Sequence, residues 1–292
     1  MTGAADPLAR AAGLACWSGP VSPEPLTGGI TNKNYLVKDR GERFVVRVGG
    51  DIPAHHVMRF NEIAASRAAA AAGISPDVVH HEPGAIVFRF IEGKTLAPED
   101  VRPRCMLTRI LPLIQRCHRD VPRYLRGPVL IFWVFHILRD YAAALREGGS
   151  PWVAELPRLM QVVELLERII GPIDVVFSHN DLLSANLIDD GKRLWLIDWD
   201  YAGFNSPLFD LGNVCSNNEV APDDEEWLIG AYLDRAPDNA LRRRYRAMKC
   251  ASLLREALWG MVSAIHSGLD LDYASYARDY LARFERAHAE LK

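Results

Sequence analysis

The sequence predicts an α+β chain in two lobes, residues 1–92 as a small lobe of antiparallel sheet plus one helix and residues 93–292 as a large, mostly helical lobe. Three observations carry this. Short apolar runs separated by turn residues fill the chain as far as Phe90, a single alanine-rich stretch interrupts them, and helical periodicity dominates afterwards. At 292 residues and 49% hydrophobic content the chain is long enough to bury the core that two such bodies need.

The elements follow in order. Glu24–Leu26 reads as a short strand, and Thr27-Gly28-Gly29-Ile30-Thr31-Asn32-Lys33 as a polar, flexible loop. Asn34–Lys38 and Arg43–Val48 are apolar-rich strands joined through Asp39-Arg40-Gly41-Glu42, a sound hairpin turn. Pro53–Ala72 reads as one helix, rich in alanine, stopped by Gly73 with Pro76 beyond. Val78–His81 and Ala85–Phe90 flank Glu82-Pro83-Gly84 as a second strand pair, and Phe90-Ile91-Glu92-Gly93 leads into the helical remainder. There, Ile110–Cys117 looks helical, and Ala221-Pro222 followed by four acids is a helix start with charge suited to the positive end. Leu253–Ile265, bearing Trp259, and Asp272–Phe284, bearing Tyr273, Tyr276 and Tyr280, read as amphipathic helices whose aromatics pack in a core.

The chemistry is concentrated in S-H-N-D-L-L-S-A-N-L-I-D-D-G-K-R-L-W-L-I-D-W-D, from Ser178 to Asp200. Asp181 is followed five positions later by Asn186, and Asp198 stands at the end of the apolar run Leu194–Ile197. Phosphoryl transfer from ATP needs a carboxylate to accept the proton of the attacking hydroxyl, and an amide oxygen with a second carboxylate to hold magnesium. Val175–Phe177 and Leu194–Ile197 suit buried strands, and Leu187-Ile188 enters a turn at Asp189–Lys192, so these groups fall where strands end. A decoy measures the signal: His118-Arg119-Asp120 spells the commoner form of the triplet, but Leu125 stands where an Asn is needed and no strand ending in Asp follows. His118 is read as a helix-end histidine. Strand order up to Phe90 matches a kinase small lobe independently of this motif.

Within that order Arg47, on the third strand, falls where many kinases carry a phosphate-binding lysine, and its forked, always-charged guanidinium can serve. Glu62 on the following helix is placed to pair with it. Seen alone, each has a bland reading, an exposed strand arginine and a solvated helix glutamate. Gly28-Gly29 with Thr31-Asn32 can offer backbone N–H groups to phosphates, although a G-G turn by itself is more often a plain hairpin. Asp210 is read as structural, accepting backbone N–H groups of the catalytic loop.

A formal net charge of −3 gives no electrostatic case for nucleic acid. Cys16, Cys105, Cys117, Cys215 and Cys250 are odd in number with no C-x-x-C pair, which predicts reduced thiols and a cytoplasmic protein rather than disulfides or zinc. No signal peptide is read at the N-terminus, and the most apolar stretch, Val129–Leu138, is too short to span a membrane and reads as a buried segment. The oligomeric state is left open.

The pieces L-T-G-G-I-T-N-K-N-Y-L-V, F-V-V-R-V-G-G, F-S-H-N-D-L-L-S-A-N-L-I, L-I-D-W-D-Y-A-G-F-N-S-P-L-F-D-L-G-N and A-L-W-G-M-V, spread from Leu26 to Phe284, resemble the choline/ethanolamine kinase family in a bacterial form. That family lies within the wider aminoglycoside-phosphotransferase-like group, with a bilobal protein-kinase-like fold. The resemblance implies Mg2+ with ATP as cofactor, Asp181 as base, and Asn186 and Asp198 as magnesium ligands. Gly28, Gly29, Thr31 and Asn32 would cover the phosphates, Arg47 and Glu62 would steady them, and Phe90-Ile91 would meet the adenine. For the acceptor it implies aromatic faces and a carboxylate around a cation. Trp259 and Tyr276 match two of the aromatics, with Asp200 alongside. Asn217 stands where an acid is expected, Val262 where a second tryptophan is expected, and Glu219 offers the charge from two residues away.

The expected activity is therefore phosphorylation of the hydroxyl of a small cationic alcohol, choline or ethanolamine first. Alternatives are an aminoglycoside or thiamine kinase on the same fold, a nucleotide-binding pseudokinase, or a plain α+β binding protein. The intact base and metal ligands argue against the pseudokinase, and the agreement of the two lobes argues against the plain binding protein.

Overall fold

The structure is a computed structural model that describes residues 6–26, 32–267 and 271–291. Strands β1 (Glu24–Leu26), β2 (Lys33–Asp39), β3 (Glu42–Val48), β4 (Val78–Glu82) and β5 (Ala85–Arg89) form a fully antiparallel sheet in the order β1-β2-β3-β5-β4. The β2–β3 hairpin closes through Arg40 and Gly41, both with positive φ (50° and 79°), the conformation a two-residue turn needs to match strand twist. A short helix missed in the sequence, α1 (Pro7–Ala12), brings Ala11 and, with Leu14 and Trp17, covers the apolar side chains Tyr35, Val37, Phe44, Val46 and Val87. Asp6 caps it, accepting Leu8 N–H.

The helix expected over Pro53–Ala72 begins later. Pro53–His55 forms a single 3-10 turn, His56 adopts a left-handed φ of 60°, and Ile52 bridges Val57 before α2 runs from Arg59 to Ala71. Its start is fixed by Asp51, whose carboxylate accepts Arg59 N–H at 2.7 Å. The alanines predicted as helix formers have a second use. Ala65, Ala68, Ala69 and Ala72 are small enough to press α2 into the same apolar core as the helical remainder, rather than into the sheet's own cluster.

After β5 the chain crosses through Phe90–Gly93. A Cβ on Gly93 would come 2.6 Å from the Asp189 carbonyl, so only glycine lets the crossing lie this close to the catalytic segment. β6 (Lys94–Thr95) then joins β8 (Leu187–Asp189) and β9 (Leu194–Leu196), while β7 (Val176–Ser178) pairs with β10 (Gly203–Asn205). The helices are α3 (Pro98–Val101), α4 (Arg104–Arg119), α5 (Val134–Glu147), α6 (Leu156–Ile170), α7 (Pro207–Asn218), α8 (Pro222–Leu233), α9 (Asn239–His266) and α10 (Tyr273–Ala289). α9 is the axis against which α5, α6, α7 and α10 pack. It is longer than the amphipathic segment read from the sequence and is buried on every side from Cys250 to Ser263. The apolar stretch Val129–Leu138 is not uniformly buried: Ile131 is 75% exposed, and α5 starts only at Val134. Among the described residues no helix is long and apolar enough to cross a membrane, and all five cysteines are free thiols.

Candidate active site

The catalytic segment is held from beneath by one carboxylate. Asp210, near the start of α7 and fully buried, accepts His179 N–H at 2.9 Å and Asn180 N–H at 2.8 Å, and receives His118 Nε2 at 3.0 Å. Burial would raise the Asp210 carboxyl, yet these donors hold it below its ordinary range. Asp210 is thus structural, as its sequence context suggested. The decoy His118 turns out to be part of the same buttress, with Tyr232 OH on its other nitrogen at 2.7 Å. Asn180, in left-handed conformation (φ 65°), donates to the Tyr201 carbonyl and accepts from Asn205, locking the loop to β10. His179 is neutral in this arrangement: Nε2 donates to Ile197 O, Nδ1 accepts Asp181 N–H, and burial lowers its pKa.

On this platform Asp181 and Asn186 meet. Asn186 Nδ2 donates to the Asp181 carbonyl at 2.8 Å and to its carboxylate at 3.1 Å. Burial pushes the Asp181 carboxyl up to about 8; Glu256 and Asp198 add to the rise, while Arg255 and Asn186 oppose it. Asp198 lies two residues past β9, not at the strand end expected, in left-handed conformation (φ 67°) that turns its carboxylate to Arg47. The Asn186 amide oxygen and the Asp198 carboxylate are the atoms the sequence reading assigns to a metal. Among the described residues no group of three or more His, Cys, Asp or Glu is placed to hold one alone.

Arg47 is buried rather than an exposed strand residue. Its Nη1 donates to Glu62 at 2.7 Å, to Asp198 at 2.9 Å and to Asp200 at 3.1 Å. Burial disfavours the cation, but the three carboxylates more than offset this and lift its pKa well above the ordinary value. A second guanidinium, overlooked in the sequence, completes the cluster. Arg59 bonds Glu62, Asp200 at 2.8 Å and Asn32 Oδ1 at 2.6 Å, and Asn32 Nδ2 donates back to Asp200 at 2.9 Å. Asp200 therefore sits with the Arg47 and Glu62 group and not, as expected, beside Trp259 and Tyr276. Gly28, Gly29 and Thr31 lie outside the described residues. Phe90 N–H is spent on the Arg43 carbonyl at 3.1 Å, which removes it as a donor toward a nucleobase. Phe90 and Ile91 border a cavity of about 510 Å³ with Pro76, Arg193 and Trp195, which Arg47, Asp181 and Asp198 do not line.

The acceptor-side residues divide. Trp259 and Tyr276 come together, rings edge-on at 5.4 Å. Gly260 permits this, because a Cβ there would lie 2.9 Å from the Tyr276 ring. Asn217 is buried in α7, and neither atom of its amide has a hydrogen-bond partner among the described residues. Glu219 ends α7 half-exposed, ion-paired to Arg283 at 2.9 Å. Val262 is core, fully buried.

Three further residues complete this wall: Tyr201, Arg255 and Glu256. Arg255 is 1% exposed, lies 4.1 Å over the Tyr201 ring, donates to Glu256 at 2.7 Å and stands 3.6 Å from the Asp181 carboxylate. Tyr276 OH donates to Glu256 at 2.9 Å, and Trp259 Nε1 to Tyr201 OH at 2.9 Å. The signal was present: an adjacent Arg-Glu pair inside the apolar run A-S-L-L-R-E-A-L-W-G-M-V.

Comparison with known proteins gives the family. Residues 24–228 match the family model described as choline/ethanolamine kinase. A probable ethanolamine kinase of Arabidopsis thaliana is 30% identical, covering 87% of this chain and 76% of its own. The crystal structure of a choline/ethanolamine kinase family protein from Mesorhizobium loti, 29% identical, superposes with a TM-score of 0.74 over 96% of this chain and 92% of that one. The choline kinase LicA of Streptococcus pneumoniae shares the fold at 24% identity, with a TM-score of 0.72 over 92% and 94% of the two chains. The chain belongs to the choline/ethanolamine kinase family, phosphotransferases with an alcohol acceptor.

Proposed function

We propose that this chain transfers the terminal phosphoryl group of ATP to the hydroxyl of a small amino alcohol of the choline and ethanolamine class, with Asp181 as the base. The observation that carries the reading is the meeting of three distant segments: Asp181 bonded to Asn186, and Asp198 tied to Glu62 through Arg47. A buried carboxyl whose pKa burial has raised is a stronger proton acceptor once ionised than an ordinary aspartate, which suits it to a hydroxyl. Asn186 orients that carboxylate through its amide nitrogen.

Magnesium fits the remaining atoms. Asn186 spends its nitrogen on Asp181, which leaves its amide oxygen, and Asp198 adds a carboxylate; hard oxygen ligands of this kind are what Mg2+ takes alongside phosphates and water. When bound with ATP it neutralises phosphate charge. Arg47, positioned by Glu62, adds a permanent positive charge beside the same oxygens, and Arg59 holds Glu62 and Asp200 in place. Gly28, Gly29, Thr31 and Asn32 cover the phosphates in this reading, and the crossing at Phe90-Ile91 meets the adenine without the Phe90 N–H, which the Arg43 carbonyl holds. Residues 1–92 act as the nucleotide lobe and 93–292 as the catalytic and acceptor lobe, with Trp259, Tyr276 and Glu256 walling the acceptor. Glu219, tied up by Arg283, contributes no free charge to it.

The test is Asp181→Ala assayed for magnesium-dependent ADP release with ethanolamine or choline present, alongside ATP binding by calorimetry. Turnover is expected to vanish while ATP still binds. A variant that keeps wild-type turnover removes Asp181 from the chemistry.

A further inference from the structure

The acceptor wall carries its own cation. In Arg255 a guanidinium, 1% exposed, lies on one face of Tyr201 at 4.1 Å, and Phe132 stands edge-on to the same ring at 6.2 Å. Trp259 is covered in turn by His55, whose ring is tilted 33° to it at 5.3 Å; burial, with Arg255 nearby, holds that imidazole neutral. One face of Tyr201 and one of Trp259 are thus taken by the protein's own groups, where a quaternary ammonium would otherwise stack. Charge tells the same story. Glu256 is already paired with Arg255, and Glu219 with Arg283, so neither carboxylate stands unneutralised beside the rings.

Unspent hydrogen-bonding capacity is what the wall does offer. Nε and Nη2 of Arg255 have no partner among the described residues. The Glu256 carboxylate, with one donor on each oxygen, has lone pairs left. A trimethylammonium head has no N–H to give, so the spare lone pairs of Glu256 gain no donor from it. A primary ammonium donates to Glu256, while the hydroxyl oxygen that both alcohols carry can accept from Arg255.

We infer that Arg255 is a specificity-determining residue: by lying on Tyr201 and pairing with Glu256 it excludes quaternary ammonium heads and selects alcohols whose other end carries N–H donors. This rests on the amino-alcohol reading above and narrows it to the unmethylated end of the class. Discrimination here is a built-in repulsion as much as an attraction, since a permanent cation opposes any second cation that cannot hydrogen-bond its way to Glu256.

The experiment measures kcat/KM for ethanolamine, N-methylethanolamine, N,N-dimethylethanolamine and choline with wild type, Arg255→Met and Arg255→Lys. Wild type is expected to lose activity with each methyl, by roughly 100-fold from ethanolamine to choline. Arg255→Met, which frees the ring face and the Glu256 charge, is expected to narrow that ratio by about tenfold or more, and Arg255→Lys to keep the wild-type order. A purely structural arginine would lower all four substrates together and leave the ratio unmoved. Choline used as well as ethanolamine by wild type, or an unchanged ratio in Arg255→Met, overturns the inference while the amino-alcohol reading stands. If none of the four is phosphorylated, the amino-alcohol reading falls and the inference with it. Should Arg255→Met fail to fold, Arg255→Gln, which removes the charge but keeps a polar side chain, is read for the same ratio.

Discussion

Replacing Asp210 by asparagine isolates the buttress beneath the catalytic loop. The carboxylate receives three buried donors: His179 N–H and Asn180 N–H on opposite oxygens, and His118 on the oxygen shared with His179. An amide of the same shape has only one acceptor oxygen. Placed toward His179 and His118, it turns its NH2 against Asn180 N–H; flipped, it abandons two donors instead of one. At least one buried donor is therefore left facing another, and the surviving bonds lose their charge assistance. With bonds to charged groups contributing about 1.5–3 kcal/mol each, the loss comes to about 3 kcal/mol. For a chain of this size that lowers Tm by about 6–12 °C, readable by circular dichroism. Turnover should fall too, since Asp181 adjoins the two residues held. The pH dependence has a definite sign. The native Asp210 carboxyl is depressed, so its contribution is present above the unfolded value of about 4 and is lost as pH falls through the native pKa. The gap between wild type and variant should close in acid. A variant that melts within about 2 °C of wild type at neutral pH, with unchanged kcat, would refute the buttress.

Two other substitutions test neighbouring parts. Glu62→Gln removes the carboxylate between Arg47 and Arg59 and leaves two buried guanidinia sharing Asp198 and Asp200. Two cations then face two carboxylates, so the loss is that of charge-assisted hydrogen bonds, about 1.5–3 kcal/mol in stability, with a fall in kcat/KM for ATP; a fully stable variant with unaltered ATP kinetics would show that the cluster does not position Arg47. Gly260→Ala places a methyl 2.9 Å from the Tyr276 ring and 3.2 Å from Ala277. It should cost about 1–3 kcal/mol and raise KM for the acceptor while leaving KM for ATP alone. An equal rise in both would argue that α10 does not border the acceptor.

What the sequence made legible was local. The β2–β3 turn follows from Asp39-Arg40-Gly41-Glu42, in which Gly41 takes a left-handed backbone without steric cost, and the spacing of Asp181 and Asn186 is short enough to be read from the chain. The misplacements are non-local. Asp200, read as an acceptor residue, has its side chain claimed by Arg59, 141 positions away, and Asn32, 168 away. Position along the chain does not tell which distant residue reaches a side chain first. The late start of α2 has the same origin: alanine content made Pro53–Ala72 look continuous, while Asp51 taking Arg59 N–H and the left-handed His56 set the boundary.

α9 shows where the reading of periodicity itself gave way. An amphipathic helix has a wet face, where an adjacent Arg-Glu pair needs no explanation. The helix is instead buried all round from Cys250 to Ser263, and in such a helix an ion pair has no solvent to lean on. It survives there only with partners, and the partners it finds are Tyr201, Tyr276 and the carboxylate of Asp181. A buried hydrophobic pair would have filled the same space more cheaply, so the cost of burying these charges falls on the acceptor wall, beside the proposed base. Two opposite charges side by side in an otherwise apolar helical run thus marked a site as clearly as the Asp181–Asn186 spacing did, and they bear on the acceptor, about which that spacing is silent.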